Sequence, residues 1–330
     1  MVAGVPDGTK LEPGRPLVFD ETQVREAVTM EMAIGSSRRA FALTRVDGLA
    51  APMPWHLKTS DGEVHVKGAA VAREPVFAIK TATGFPGNAK LKLPTSTGFS
   101  AVFDSATGRL LAMLLDNGYL TELRTGAAGG LAADLLAPAE VATAAIIGTS
   151  GQARYQLEGL FAVRQPRSLR LCGRRAEGVA ELARWVRDRW DVDVRPASDP
   201  DDAVRGADAV VTVTNSTAPL FGTESLAPHA HVTAVGSDSP GKRELPADLL
   251  TSAALVAVDS LEQSQRLGEL QGIDPAGIPV LVTIGELVTE PRERPRGRTV
   301  ADLSGLGIQD TTVAAAALDV LADAASSRPA

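Results

Sequence analysis

The chain has 330 residues, an apolar content of 44% and a formal net charge of −7. A single hydrophobic core rarely fills this length, so about two domains are expected. The acidic balance gives no basic surface for nucleic acid, and no apolar run reaches the roughly 18 residues that cross a membrane. Cys172 is the single cysteine, which excludes an internal disulfide and fits a reducing cytoplasm. A small-molecule ligand is therefore expected.

The N-terminal segment, residues 1–16, is rich in Gly and Pro and lacks the apolar stretch of a signal peptide. We interpret it as a flexible tail. Two predicted strands follow in GEVHVKGAAVAREPVFAIK, residues 62–80, and they carry Lys67 and Lys80. Side chains two positions apart share one face of a strand, so His65 and Lys67 lie together. A solvated strand face is the alternative explanation for both lysines.

From about residue 141 onward, short runs rich in Val and Ala alternate with helix-length segments. This pattern predicts a parallel sheet covered on both faces. The runs are TAAIIG, SLRLCG, DVDVRP, ADAVVTVT, HVTAVGS and ALVAVDS. The first run leads directly into GTSGQARYQLEGL, which has the strand, glycine turn and helix of a dinucleotide-binding unit. The predicted fold class is α/β, with a Rossmann-type doubly wound parallel sheet.

The turn after the first of these strands is the candidate phosphate-binding loop. A Rossmann turn needs two glycines and a small third residue, and these positions fall on Gly148, Ser150 and Ala153. Ser150 departs from the pattern, although Gly151 beside it lets the loop shift. An ordinary turn between strand and helix is the alternative. The predicted cofactor contacts are Gly148, Thr149, Ser150, Gly151, Gln152, Ala153, Gly173, Arg174, Arg175, Thr214 and Val235.

The end of the second strand favours NADP over NAD as the cofactor. An NAD site has an acidic residue there for the ribose 2′-hydroxyl, whereas LCGRRAEG has Gly173, Arg174 and Arg175. The planar guanidinium of arginine can bind a phosphate through two hydrogen bonds. A solvated helix start is the alternative reason for the two arginines, and NAD stays possible.

Two other kinds of site are excluded. The segment GSDSPGKR, residues 236–243, resembles a P-loop, but Arg243 stands where Ser or Thr must reach magnesium. Asp238 would also place a carboxylate in the phosphate cradle. The histidines form no zinc pattern with one another or with Cys172, so no metal is predicted. We interpret Asp104 and Asp116 as turn and loop residues.

Six motifs, taken in this order, resemble those of the ornithine cyclodeaminase and mu-crystallin family from about residue 17 onward. They are FAIKTATGFPGN, LLDNGYLTELRTGAAGGLAA, IIGTSGQAR, HVTAVGSDSPGKREL, VDSLEQSQRLGEL and GLGIQDTTVA. The resemblance implies a Rossmann domain and an α+β substrate-binding and dimerisation domain. We predict that residues 17–128 and 312–330 form the substrate-binding domain and residues 129–311 the Rossmann domain. A homodimer is expected.

The resemblance also implies roles for single residues. The family's substrate-carboxylate lysine matches Lys80, its carboxylate-binding arginine matches Arg124, and a substrate-contacting threonine matches Thr95. The catalytic aspartate matches Asp238, and Lys80 is grouped with it as catalytic. The alternatives are that Arg124 is merely solvated and that Asp238 caps a helix in ELPADLL.

The predicted substrate class depends on Lys67. In ornithine-specific members a glutamate meets the distal ammonium of the substrate, and counting back from Lys80 without a gap places that position at Lys67. A lysine there would repel an ammonium and attract a second carboxylate. We predict an NAD(P)H-dependent imine reductase or amino acid dehydrogenase for a small dicarboxylic imino acid, such as iminosuccinate reduced to aspartate. The alternatives are an ornithine-type cyclodeaminase and a crystallin-like protein that binds NADPH and ligand without turnover.

Overall fold

A computed structural model describes residues 15–326. Almost all of the predicted tail, residues 1–14, lies outside the described residues. The strands are β1 (Leu17–Asp20), β2 (Leu49–Ala50), β3 (Trp55–Lys58), β4 (Glu63–Val71), β5 (Val76–Gly84), β6 (Ser96–Asp104), β7 (Leu110–Leu115), β8 (Thr143–Ile147), β9 (Ser168–Cys172), β10 (Asp193–Pro196), β11 (Ala209–Thr212), β12 (His231–Ala234), β13 (Leu255–Val258), β14 (Leu281–Thr283) and β15 (Thr299–Asp302). The helices are α1 (Glu21–Ala27), α2 (Met30–Leu43), α3 (Tyr119–Leu136), α4 (Gly151–Val163), α5 (Ala176–Arg187), α6 (Pro200–Val204), α7 (Ala247–Ser252), α8 (Leu261–Leu267), α9 (Ile284–Thr289) and α10 (Gly307–Ser326). Short 3-10 helices span Pro86–Leu91, Thr223–Ser225 and Pro275–Gly277.

The described residues divide into two compact units, and the first is formed by two separate segments of the chain. Unit 1 runs up to Arg124 and resumes at Leu306, and unit 2 spans Thr125–Gly305. The predicted domain boundaries, after residues 128 and 311, lie a few residues further along the chain. Each boundary falls within or just before a long helix, α3 or α10, so no loop marks it in the sequence.

The sheet of unit 1 is mostly antiparallel, with the order β1-β7-β6-β5-β4-β2 and β3 paired with β4. Lys67 on β4 lies directly opposite Lys80 on β5, and Lys80 lies opposite Ser100 on β6. We call the side that carries these three residues the inner face. Helix α10 packs on it, and the hydroxyl of Thr311 donates to the carbonyl oxygen of Ala69 at 2.8 Å.

The opposite side of this sheet, the outer face, is apolar and exposed. Because successive side chains alternate between faces, Val18, Ile79, Phe99 and Leu115 project from it. Their exposed fractions are 58%, 39%, 37% and 45%, in that order. Isolated exposed apolar residues are common, but a group on one sheet face is typical of a surface that another molecule covers.

Unit 2 contains an eight-stranded sheet with the order β10-β9-β8-β11-β12-β15-β13-β14, in which all neighbouring strands are parallel. The six predicted strands correspond to β8 through β13, which confirms the Rossmann-type α/β fold class. Strands β14 and β15 were not predicted. Among the described residues, no helix is both long enough and apolar enough to span a membrane.

The strand order places the predicted phosphate-binding loop beside β8, where the order of strands across the sheet reverses its direction. Strands β9 and β10 lie on one side of β8, and β11 and β12 lie on the other. In such sheets a dinucleotide binds outside the carboxyl ends of the strands, where the order reverses. The turn from β8 to α4 emerges at that edge.

Candidate functional site

Two cations on the inner face of unit 1 are buried beside one carboxylate. Lys80, Arg124 and Asp310 are 4%, 5% and 2% exposed. The Nε of Arg124 donates to Oδ1 of Asp310 at 3.0 Å, and the Nζ of Lys80 lies 3.6 Å from the same oxygen. Oδ2 of Asp310 has no hydrogen-bond partner in the part of the chain that the structure describes. Strand β5 and helices α3 and α10 thus supply one charged cluster.

The pKa shifts show how strongly these charges interact. The pKa of Lys80 is lowered to about 8, mainly by burial, while Asp310 opposes this shift and Arg124 and Lys67 add to it. Burial would raise the pKa of Asp310, but Arg124, Lys80 and Lys67 outweigh it and lower that pKa. The charge of the partly buried Lys67 therefore reaches both other groups. The cluster carries more positive than negative charge, which suits carboxylate ligands.

Two carboxylates of this cluster were missed by the sequence analysis. Asp116 is only 2% exposed, although we had interpreted it as a loop residue. Its Oδ2 accepts from the backbone N–H of Leu120 at 2.7 Å, and burial raises its pKa to about 6. Asp310 lies within one of the quoted motifs, GLGIQDTTVA, but received no role. No clear sequence signal marks it, because Gln309, Thr311 and Thr312 beside it in α10 are also polar.

The structure does not bring Thr95 into this cluster. Thr95 is exposed and precedes Ser96, which pairs with Gly84 four residues along β5 from Lys80. At about 3.4 Å per residue, this separation is about 14 Å along the strand. Contact between Thr95 and a ligand bound at Lys80 stays a prediction.

Asp238 lies in unit 2, on the loop after β12, and its side chain is half exposed. Its Oδ1 accepts from the Nζ of Lys242 at 2.7 Å and from the hydroxyl of Ser239 at 3.1 Å. The alternative that Asp238 caps a helix is wrong, because helix α7 begins at Ala247 and has Pro246 as its N-cap. The carboxylate is thus positioned by a neighbouring cation and remains accessible.

The turn from β8 to α4 has the geometry of a phosphate-binding loop. Gly148 has a φ of +123°, and a Cβ there would lie 2.3 Å from the carbonyl oxygen of Val213, so only glycine fits. Ser150 is the N-cap of α4 and makes no side-chain capping bond. A Cβ on Gly151 would meet nothing within 4 Å. The first turn of this helix is therefore open, and helix N-termini favour anionic groups.

The remaining predicted cofactor residues lie at the same edge of the sheet. Gly173 follows β9, where a Cβ would come within 2.7 Å of the Thr149 side chain. Arg174 and Arg175 follow it and are exposed. Thr214 follows β11, Val235 follows β12, and Gln152 and Ala153 lie in the first turn of α4. Together with the strand order and the open helix end, these positions fit a dinucleotide.

A separate cavity of about 320 Å³ lies in unit 1, between α2, α10 and the turn from β4 to β5. Its lining residues include Arg39, Glu74 and Asp319, whereas Lys67, Lys80 and Arg124 are absent from its wall. We therefore assign the chemistry to the charged cluster and not to this cavity.

The chain is similar to known proteins over most of its length. Residues 15–325 match the model of the ornithine cyclodeaminase/mu-crystallin family. The chain is 32% identical over 311 residues to an alanine dehydrogenase of Archaeoglobus fulgidus, covering 90% of this chain and 92% of that protein. It is 34% identical over 246 residues to a Δ1-pyrroline-2-carboxylate reductase of Bacillus cereus, covering 72% and 75%.

The chain is also similar to a solved structure of an enzyme with its cofactor bound. The iminosuccinate reductase of Paracoccus denitrificans in complex with NAD⁺ is similar to this chain, with a TM-score of 0.85 and 26% identity over 94% of this chain and 97% of that one. The predicted enzyme class, an NAD(P)-dependent oxidoreductase, is confirmed by these relatives.

Asp310→Asn should change how binding of a carboxylate substrate depends on pH. Lys80 loses its positive charge as the pH rises through its pKa of about 8, so affinity should fall above that pH. Removing the Asp310 carboxylate lowers this pKa further, which moves the fall to lower pH. The KM at pH 8 should rise about fivefold for a one-unit fall. Measurement of KM from pH 6 to 9 tests this, with Asp319→Asn on the same helix as control. An unchanged profile would show that Asp310 does not control the charge of Lys80.

Proposed function

This chain belongs to the ornithine cyclodeaminase/mu-crystallin family, and on that premise we propose that it is an NAD(P)H-dependent imine reductase for small dicarboxylic imino acids. The reduction of iminosuccinate to aspartate is the representative reaction. The observation that carries this proposal is the direct cross-strand pairing of Lys67 with Lys80, beside buried Arg124.

The three cations outnumber the carboxylates of Asp310 and Asp116 at this site, which supports an anionic substrate. Lys80 and Arg124 can hold the α-carboxylate, although Asp310 already offsets part of their charge. Lys67 supplies a third cation on the same sheet face, and its field reaches both Lys80 and Asp310. Like charges in a partly buried site repel strongly, so a distal ammonium is disfavoured there. The positive charge that Lys67 adds to this face therefore favours an acidic side chain on the substrate, and thus a dicarboxylate over ornithine.

Asp238 favours an enzyme over a protein that only binds ligands. A binding protein needs cations to hold carboxylates but has no use for a group that transfers protons. The carboxylate of Asp238 is half exposed and hydrogen-bonded by Lys242, so it can exchange protons with solvent. We assign it the proton-transfer role that the family resemblance implies.

The proposed reaction converts a C=N bond to CH–NH by adding a hydride to carbon and a proton to nitrogen. The dinucleotide would supply the hydride when bound. Lys80 and Arg124 orient the α-carboxylate, and Lys67 fixes the second carboxylate, which holds the imine carbon in one position. Asp238 delivers the proton to nitrogen.

We propose NADPH as the preferred dinucleotide. The loop from Gly148 to Ala153 would hold the phosphates. Gly173 allows the cofactor to approach the backbone closely, and Thr214 and Val235 would contact it just after β11 and β12. Arg174 and Arg175 are exposed at the end of β9 and would bind the 2′-phosphate. Guanidinium groups suit this contact because they bind phosphate through paired hydrogen bonds.

We further propose that the protein is a homodimer in which the outer face of unit 1 is covered by the same face of a second copy. Ile79, Phe99, Val18 and Leu115 supply the apolar surface, and Phe77 stacks on Phe103 with ring centroids 5.0 Å apart. Two-fold contacts that join identical patches are the commonest form of oligomer.

Lys67→Ala tests the substrate class. The wild type should reduce oxaloacetate with ammonia faster than pyruvate with ammonia. The variant should lose this advantage, by about tenfold or more in kcat/KM, because a charged hydrogen-bonded contact is removed. Activity on pyruvate should be spared.

Lys58→Ala, at an exposed position on neighbouring β3, is the matched control and should behave as the wild type. Cyclisation of ornithine by the wild type, or an unchanged preference in Lys67→Ala, would contradict the dicarboxylate assignment.

The double variant Arg174→Gln/Arg175→Gln tests the cofactor. Its KM for NADPH should rise about tenfold or more, while its KM for NADH should change little, because only NADPH carries the 2′-phosphate. NADH is the internal control. Equal changes for both cofactors, or a wild type that prefers NADH, would refute the NADP assignment.

Asp238→Asn tests proton transfer. The amide keeps the size of the side chain but cannot titrate, so kcat should fall by about a hundredfold or more. The dissociation constant for NADPH, measured by fluorescence, should remain at the wild-type value. Near-normal turnover would remove Asp238 from the mechanism.

Phe99→Asp tests the dimer. A charged residue on the outer face would have to be buried without a partner in the dimer, so the variant should sediment as a monomer. Lys90→Asp, on the exposed 3-10 helix Pro86–Leu91, is the control. A monomeric wild type would contradict the proposed interface.

A further inference from the structure

Three buried carboxylates in unit 2 have no role in the proposed chemistry. Glu244, Glu269 and Asp302 are each 0% exposed. Burial raises the pKa of all three, with that of Glu269 reaching about 7. Burying such groups is costly unless they receive hydrogen bonds, so their partners indicate what they do.

The three side chains are connected in series through backbone N–H groups. Oδ2 of Asp302, at the end of β15, accepts from the N–H of Glu269 at 2.9 Å. The carboxylate of Glu269 accepts from the N–H groups of Glu244 and Leu245 at 2.8 and 3.0 Å. We call the series Asp302, Glu269 and Glu244 the carboxylate relay.

The last member of the relay joins the ends of two neighbouring strands. Oε1 of Glu244 accepts from the N–H of Thr214 at 2.6 Å, and Oε2 accepts from the N–H of Gly236 at 2.7 Å. Thr214 follows β11, and Gly236 follows β12 and leads into the loop that carries Asp238. The fit is close, because a Cβ on Gly236 would lie 2.1 Å from the carbonyl oxygen of Thr214 and 2.6 Å from Oε1 of Glu244.

Both oxygens of Glu244 must act as acceptors. A backbone N–H can only donate, and each oxygen receives one. A glutamine at this position would therefore direct its amide N–H group at the N–H of Thr214 or Gly236. A carboxylate, and not an amide of the same size, is therefore required at position 244, in addition to what Glu244 contributes to the fold.

The strands that Glu244 joins belong to one half of the Rossmann sheet. The half with β8, β9 and β10 carries the glycine turn and the position that meets the adenosine ribose. The half with β11 and β12 is therefore expected to meet the nicotinamide mononucleotide. Val235, a predicted cofactor contact, lies directly before Gly236.

We propose that Glu244, supported by Glu269 and Asp302, is a positioning residue for the nicotinamide half of the cofactor. By holding the backbone of Thr214 and Gly236, Glu244 sets the surface that the nicotinamide half contacts before the cofactor binds. It also fixes the start of the loop that carries Asp238. This inference rests on the proposed dinucleotide function. A metal does not explain the relay, because the described residues include no His, Cys, Asp or Glu group arranged to hold one.

Glu244→Gln tests the proposal through binding and not through turnover. The dissociation constant for NADPH should rise about tenfold or more, since two backbone N–H groups lose their fixed positions. The dissociation constant for 2′-phospho-ADP-ribose, which lacks nicotinamide, should change less than about threefold. If the wild type binds NADH more tightly, NADH and ADP-ribose replace this pair. Isothermal titration calorimetry measures the dissociation constants of both ligands for the wild type and for the variant.

Asp208→Asn is the matched control. Its Oδ2 also accepts two backbone N–H groups, from Ala142 and Thr143 at 2.8 and 2.9 Å, but at the amino ends of the strands. This variant should lower the melting temperature and leave both dissociation constants unchanged. If Glu244→Gln weakens the binding of both ligands equally, or does not weaken the binding of NADPH, the positioning role is overturned.

Glu269→Gln provides a second test if Glu244→Gln does not fold. It should show the same selective loss of NADPH affinity, because Glu269 also receives two backbone N–H groups. A wild type that binds neither dinucleotide would instead refute the proposed cofactor, and the relay inference with it. Loss of activity on dicarboxylates alone, with cofactor binding intact, would concern the substrate proposal and leave the relay role standing.

Discussion

The ion pair between Asp310 and Arg124 allows unit 1 to bury two cations on one sheet face. An unpaired charge in the interior costs several kcal/mol, so Lys80 and Arg124 could not both lie there without a counter-charge. Asp310 comes from α10, near the end of the chain, whereas Lys80 lies on β5 near its beginning. Helix α10 is therefore required by the sheet of unit 1, which explains why unit 1 combines two separate segments of the chain.

The two units organise their functional groups by different physical means. In unit 1 the organising force is charge, since Lys67 contributes to the pKa shifts of both Lys80 and Asp310 on the inner face. In unit 2 it is backbone hydrogen bonding, where the glycine at 148 permits the turn after β8 and Glu244 joins two strand ends. Both arrangements fix polar groups before a ligand arrives, which lowers the entropy lost on binding.

The sequence patterns predicted the structural elements that depend only on residues close together in the chain. The six strands from β8 to β13 were recognisable because each is a short apolar run between helix-length segments. Strand β14 has three residues, and β15 follows a polar segment, PRERPRGR, so neither gives a clear signal. The pairing of β15 between β12 and β13 is a long-range contact, which no local pattern contains.

The sequence by itself determined the family, the α/β class, the glycine turn and the identity of the cations Lys67, Lys80 and Arg124. The motifs encode these features in contiguous residues, and the alternation of side chains assigned Lys67 to a face. Only the tertiary structure decided that Lys67 lies opposite Lys80 and that Asp310 and Asp116 are buried near them. Register and burial depend on contacts between distant segments, so an aspartate in a loop or helix reveals its charge partners only after the chain has folded.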